Sequence, residues 1–273
     1  MSIQPEYTTI LTIAGSDGSG GAGIQADLKT IAALGCYGLS VITAVTAQNT
    51  IGVSASHQLP AGFIEAQFRA IAEDIRIDAV KIGMLGCIEA AETVSALLKM
   101  IDGVPVVLDT VLRSTGGESL FPASGESVMK RLLFPIAALV TPNLQEAAVL
   151  TGKKHMPVSQ EEVEKTAMEL HESGARSVLV KGGHGEGVVC RDCLLHEGRF
   201  HWFSNPKIDT VNTHGTGCTL SSAIASYLAR GAGMVDAVAA GIAYTRAAIL
   251  EGARWRLGHG HGPLNHFPER QSD

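Results

Sequence analysis

Short apolar runs rich in Val, Ile and Leu alternate with helix-length segments, and this alternation limits the fold more than any other feature of the sequence. The runs are Thr9–Ala14, Leu39–Ala47, Ala79–Ile82, Val104–Asp109, Ala137–Thr141 and Ser177–Val180. A strand that is apolar at every residue has both faces buried, and a sheet with helices on each side provides that. The predicted helices are Gly23–Leu34, Gly62–Asp74, Ala90–Met100, Gln160–Glu172, Thr219–Ala229 and Met234–Gly252. The pattern predicts an α/β chain with a parallel sheet between helical layers. No repeat, low-complexity tract or Pro/Ser-rich linker divides it, so residues 1–273 are expected to form one domain. Val188–Phe203, with turn residues at Arg191–Asp192 and Glu197–Gly198, reads as a hairpin near the sheet edge.

Polar residues fall at one end of these runs. Asp17, Gly83, Asp109, Asn143 and Lys181 each lie at or just past the carboxyl end of a predicted strand. Ligands of open parallel sheets bind at that edge, so two acids and a lysine there predict a site.

Two glycine-rich segments sharpen the expectation. Gly15–Asp27 reads GSDGSGGAGIQAD and contains Gly18-x-Gly20-x-x-Gly23. A dinucleotide fold also needs an acid about 20 residues on. No Asp or Glu occurs between Asp27 and Glu65, which argues against a nicotinamide oxidoreductase. The loop is either a tight strand-to-helix turn or a place where a flat ligand or a phosphate meets bare backbone. The second segment, Asn212-Thr213-His214-Gly215-Thr216-Gly217-Cys218, runs into an apolar helix. Glycines before a helix leave unpaired N–H groups that, with the helix dipole, form an anion hole suited to a transferring phosphoryl group. Cys218 at that N-terminus is expected to have a lowered thiol pKa and to accept the proton of an attacking alcohol, or else to be a buried cysteine in a plain turn. His214 is read as fixing the loop. No Gly-x-x-x-x-Gly-Lys-Ser/Thr motif is present.

Composition excludes other classes. A net charge of −6 with no Lys/Arg-rich run argues against a nucleic-acid surface. With 45% hydrophobic and 18% charged residues the chain is expected to be globular, not disordered. Five scattered cysteines suit a reducing cytosol, and the N-terminal apolar stretch, without a basic flank and broken at Gly15, predicts neither a leader nor a membrane anchor. Cys190-x-x-Cys193 has no second pair to complete a zinc site, and the terminal HGHGPLNHF (His259–Phe267) reads as a capping or substrate-side loop.

Taken in order, TIAGSDGSGGAGIQADLKT (Thr12–Thr30), VITAVTAQNT (Val41–Thr50), KIGML (Lys81–Leu85), VLDTV (Val107–Val111), TPNLQEA (Thr141–Ala147), KGGH (Lys181–His184) and NTHGTGCTLSSAIA (Asn212–Ala225) resemble the hydroxymethylpyrimidine and phosphomethylpyrimidine kinases of the ribokinase superfamily. The resemblance covers nearly the whole chain. It implies a three-layer α/β/α ribokinase-like fold with a mostly parallel central sheet, ATP and Mg²⁺ as cofactors, and a cytoplasmic homodimer acting on a small pyrimidine. It also implies a pyrimidine pocket of Gly15, Asp27, Gln48, Met84 and Val111. Asn143 and Glu146 would stand near the metal–phosphate assembly, Asp109 would help hold the metal, and Lys181 would contact phosphate. Gly215, Thr216 and Gly217 would form the anion hole, with Cys218 as the base where most of the superfamily has an aspartate. Glu146 also suits the first turn of a helix, where an acid meets the dipole.

The main alternative is a pyridoxine or pyridoxal kinase on the same scaffold. Some pyridoxal-handling relatives carry a second cysteine where this chain has Ser114, which argues against a dedicated pyridoxal enzyme. A binder without catalysis would not need Asp109, Glu146, Lys181 and Cys218 together. The turn Asn49–Gly52, between two strand-like runs, is a candidate lid.

Overall fold

The computed structural model describes residues 5–113, 117, 120–122, 125–183 and 187–268. In chain order its elements are β1 (Thr9–Asp17), α1 (Gly23–Ala33), β2 (Tyr37–Gln48), β3 (Val53–Gln58), α2 (Ala61–Ala72), β4 (Ala79–Ile82), α3 (Ile88–Leu98), β5 (Val106–Leu108) and α4 (Gly125–Leu132). They continue with β6 (Leu139–Val140), α5 (Leu144–Leu150), α6 (Gln160–Glu172), β7 (Val178–Val180), β8 (Val189–His196), β9 (Arg199–Pro206), α7 (Thr216–Ala229) and α8 (Met234–Gly252).

The strands form one nine-stranded sheet in the order β3-β2-β1-β4-β5-β6-β7-β8-β9. From β2 to β7 neighbours are parallel, and β3, β8 and β9 join antiparallel at the edges. Successive side chains in each central strand enter opposite cores, as the two-residue period requires. Ile10, Ala79, Val107, Leu139 and Leu179 pack with Ile31 of α1, Leu220 and Ile224 of α7, and Val238 of α8. Leu11, Val80, Leu108, Val140 and Val178 pack with Phe68 of α2, Val94 of α3, Met129 of α4, Ala147 of α5 and Leu170 of α6. The result is the three-layer α/β/α arrangement.

Sequence and structure differ in a few places. Arg191 and Asp192 lie inside β8, and the hairpin turns only at Glu197–Gly198, where both residues have positive φ. α4 has no counterpart among the predicted elements, whereas β3 is the strand-like run after the Asn49–Gly52 turn and α5 the helix expected to carry Glu146 in its first turn, neither given bounds by the sequence. Four of six residues in β3 are exposed, so its hydrophobic signal is weak. α5 has seven residues, and its start is fixed by a capping box: Glu146 N–H donates to Asn143 Oδ1 and Asn143 N–H to Glu146 Oε2, both at 2.9 Å. The motif's last residue, His184, and the comparison position Ser114 lie outside the described residues. No helix among the described residues is long and apolar enough to cross a membrane.

Chain direction along the sheet reverses at β1, which has β2 on one side and β4 on the other. Such a switch point opens a crevice at the carboxyl ends of the strands. A bulge between Ala14 and Ser16 lifts Gly15 out of register at that crevice.

Candidate active site

A cavity of about 840 Å³ occupies the crevice and extends along the carboxyl ends of the parallel strands toward β8 and β9. Gly15, Gln48, Met84 and Val111 line it near the switch point; Asp109, Asn143, Glu146 and Lys181 line it further along, beside Gly215, Thr216, Gly217 and Cys218. Each of these stands where a strand ends or a helix begins. A Cβ on Gly15 would lie 3.1 Å from Met84 Sδ, so the bare backbone lets the methionine close one wall.

Asp27 departs from this group. It does not line the cavity but lies wholly buried beneath it. Its carboxylate accepts bonds from Lys81 Nζ at 2.8 and 2.9 Å, Thr12 Oγ1 at 2.6 Å and Ser222 Oγ at 2.8 Å. Lys81 is equally buried, and although burial pulls its pKa down, Asp27 keeps it raised. The pair ties β1, β4, α1 and α7 together under the site. The sequence reading gives Lys81 only as part of a motif, although one charge in an otherwise apolar strand demands a buried partner.

At the phosphate end, Lys181 Nζ donates to Asp109 Oδ1 at 2.8 Å, and Thr141 Oγ1 donates to the same oxygen at 3.3 Å. Burial alone would raise the Asp109 carboxyl, but Lys181 and Lys81 hold it below its usual value. Glu146 has the opposite balance: burial, with Asp109 adding to it, raises its carboxyl to about 7 against the pull of Lys181. In the unfolded chain this group titrates near 4.5. Its contribution to stability is therefore complete below that value and is lost as pH rises through 7. Glu146→Gln keeps the capping box and removes the titration. The ligand-free variant should melt above wild type at pH 8 and level with it near pH 4, a difference on the order of 2–3 kcal/mol. A pH-independent difference in melting temperature would contradict the assignment.

The start of α7 forms the remaining wall. Gly215 has φ 85°, and a Cβ there would collide with the Gly21 carbonyl, so the turn requires glycine. Thr216 N–H is used internally, donating to Thr213 O at 3.2 Å. Among the described residues the N–H groups of Gly215, Gly217 and Cys218 have no protein acceptor. The unpaired donors at this wall therefore include Cys218 and omit Thr216, which differs from the expected set by one residue. A Cβ on Gly217 would lie 3.2 Å from Asp109 Oδ2 and 3.3 Å from Lys181 Nζ. Its absence keeps a polar cradle open between the helix start and the acid–lysine pair.

Cys218 differs from expectation in its acidity. Burial pushes its thiol up to about 11, although the Lys81 ammonium and the Gly23 N–H pull the other way. Desolvation outweighs the helix N-terminus here, so the ligand-free sulfur is a thiol at neutral pH.

A family profile described as phosphomethylpyrimidine kinase matches residues 17–265. The chain is 48% identical over 263 residues to a thiamine biosynthesis bifunctional protein of Geobacter sulfurreducens, a match covering 95% of this chain and 52% of that one. It therefore spans about half the length of that relative. It is 44% identical over 257 residues to the hydroxymethylpyrimidine/phosphomethylpyrimidine kinase of Rhizobium meliloti, covering 94% of this chain and 96% of that one. Among solved structures, the ADP complex of Bacillus subtilis pyridoxal kinase superposes with a TM-score of 0.90 at 32% identity, covering 98% of this chain and 100% of the other. With a matching profile over most of its length and a relative of equal span, the chain belongs to the phosphomethylpyrimidine kinase family.

Proposed function

We propose that this protein transfers the γ-phosphoryl group of ATP to the hydroxymethyl oxygen of 4-amino-5-hydroxymethyl-2-methylpyrimidine, and then phosphorylates the monophosphate to the diphosphate used in thiamin synthesis. The observation that carries this reading is that one cavity joins a wall of Gln48, Met84 and Val111 to the acid–lysine pair and the unpaired N–H groups at α7. An aminopyrimidine needs a polar side chain at its edge and apolar contact on its faces, which Gln48, Met84 and Val111 supply.

Mg²⁺ fits the phosphate end, because it keeps several waters and takes few carboxylates. Asp109 and Glu146 are the two that would hold it, and Gly217 leaves room beside them. When bound, the ion neutralises charge on the β- and γ-phosphate oxygens. Lys181 contacts phosphate, and the N–H groups of Gly217 and Cys218 stabilise the negative charge of the transferring group. Cys218 takes the alcohol proton as the oxygen attacks phosphorus. The same reading includes a cytoplasmic homodimer and one kinase unit over the whole chain.

A pyridoxine or pyridoxal kinase is the second reading, favoured by the superposition on a pyridoxal kinase. The greater identity to pyrimidine kinases supports the first. Steady-state ADP release with Mg-ATP and each acceptor separates the two. The expected result is kcat/KM at least tenfold higher for the pyrimidine, and the reverse ratio would transfer the function to vitamin B6 salvage.

A further inference from the structure

The residues around Gln48 form a chain of hydrogen bonds whose proton positions can be worked out. Asp17 is buried, and its Oδ1 accepts from Ser19 N–H at 2.9 Å and Ser19 Oγ at 2.7 Å. Its Oδ2 accepts from Ala22 N–H at 2.8 Å and lies 2.8 Å from His214 Nε2. Burial raises the Asp17 carboxyl, but His214 and the other donors bring it down to about 2. It is thus an ionised acceptor at any working pH, and His214 Nε2 must carry a proton and donate it.

That proton fixes the next link. One amide atom of Gln48 lies 3.1 Å from the same His214 Nε2, and the other lies 3.3 Å from Thr46 Oγ1. Thr46 Oγ1 gives its only proton to Ser16 O at 2.8 Å, so toward Gln48 it can only accept. An amide nitrogen facing a protonated Nε2 would set donor against donor. The consistent orientation puts Gln48 Oε1 on His214, where it shares the one Nε2 proton with Asp17, and Gln48 Nε2 on Thr46. His214 is itself held in place, because its backbone N–H donates to Gly262 O at 3.1 Å in an isolated parallel bridge with Pro263.

We propose that Asp17 and His214 are positioning residues that lock the Gln48 amide with its acceptor on the His214 side and its donor on the Thr46 side, making it selective for a ligand edge bearing an amino group beside a ring nitrogen. The amino group of such an edge gives a proton to Gln48 Oε1, and the ring nitrogen accepts one from Gln48 Nε2. Pyridoxine has no amino group next to its ring nitrogen, so the locked amide does not match it in this way. The ligand chemistry rests on the pyrimidine reading; the amide orientation does not.

Two measurements test this on the full chain. In ligand-free protein labelled with ¹⁵N-histidine, His214, assigned by its loss in His214→Gln, should show a protonated Nε2. A bare Nε2 would overturn the proposal whatever the substrate. In kinetics, His214→Leu should raise KM for the pyrimidine about tenfold, the loss expected from one directed hydrogen bond. Its kcat should stay within about threefold and its KM for pyridoxine should change less. His214→Gln, which can still donate to Asp17, should recover most of the loss. Equal losses for both acceptors, equal impairment in the Leu and Gln variants, or no change in either, would each overturn the proposal. If wild type fails to phosphorylate the pyrimidine, the functional reading falls while the tautomer measurement still decides the amide lock.

Discussion

Replacing Cys218 with alanine should slow phosphorylation of the hydroxymethyl group by about 10²- to 10⁴-fold, the range typical of losing a positioned general base. The second phosphorylation should fall much less, within roughly tenfold, because its nucleophile is a phosphate that has largely lost its protons near pH 8. Since burial holds the Cys218 thiol up near 11, only a small fraction is thiolate at neutral pH in the ligand-free chain. The first step should therefore accelerate with rising pH, its log kcat/KM climbing toward a slope of one between pH 7 and 9. In the alanine variant that slope should disappear. Quench-flow with separate quantitation of mono- and diphosphate reads both effects, and equal loss in the two steps would remove Cys218 from the base role.

The second large effect concerns stability. Asp27→Ala leaves the Lys81 ammonium buried with no counter-ion, and breaking such a pair from one side costs about 3–5 kcal/mol. For a chain of this size that corresponds to a fall in melting temperature of roughly 10 °C. Removing both charges together, as Asp27→Leu with Lys81→Met, should recover most of the loss, since the apolar pair has no charge to desolvate. If Asp27 instead reached into the cavity and paired with the pyrimidine, the single variant would raise KM sharply with little change in melting temperature. Its burial and its three side-chain partners argue for the structural outcome.

These two residues also show what the sequence reveals and what it hides. The parallel sheet was legible because strands such as Val178–Val180 are apolar on both faces, a pattern that depends on burial alone. The edge carrying the site was legible for the same reason: Asp109, Asn143 and Lys181 interrupt apolar runs just where each strand ends. Asp27 sits in a motif shared with pyrimidine kinases, which suggests ligand contact. Whether a carboxylate points up into a crevice or down onto a lysine depends on the rotation of α1 over β1 and β4. Local sequence does not specify that rotation. Cys218 teaches a related lesson: its helix position was readable, but the sign of its pKa shift depends on how much water the surrounding layers exclude. The Gln48–His214–Asp17 chain joins residues far apart in sequence, the last two 197 positions apart, so only the packed fold brings its donors and acceptors together.

The most direct test of the central claim is product identification by mass after incubating the purified chain with Mg-ATP and 4-amino-5-hydroxymethyl-2-methylpyrimidine, with pyridoxine in a parallel reaction. The expected products are the pyrimidine monophosphate first and the diphosphate after it, with one ADP released per phosphoryl group added. No pyrimidine phosphate, with pyridoxine converted to its phosphate, would contradict it.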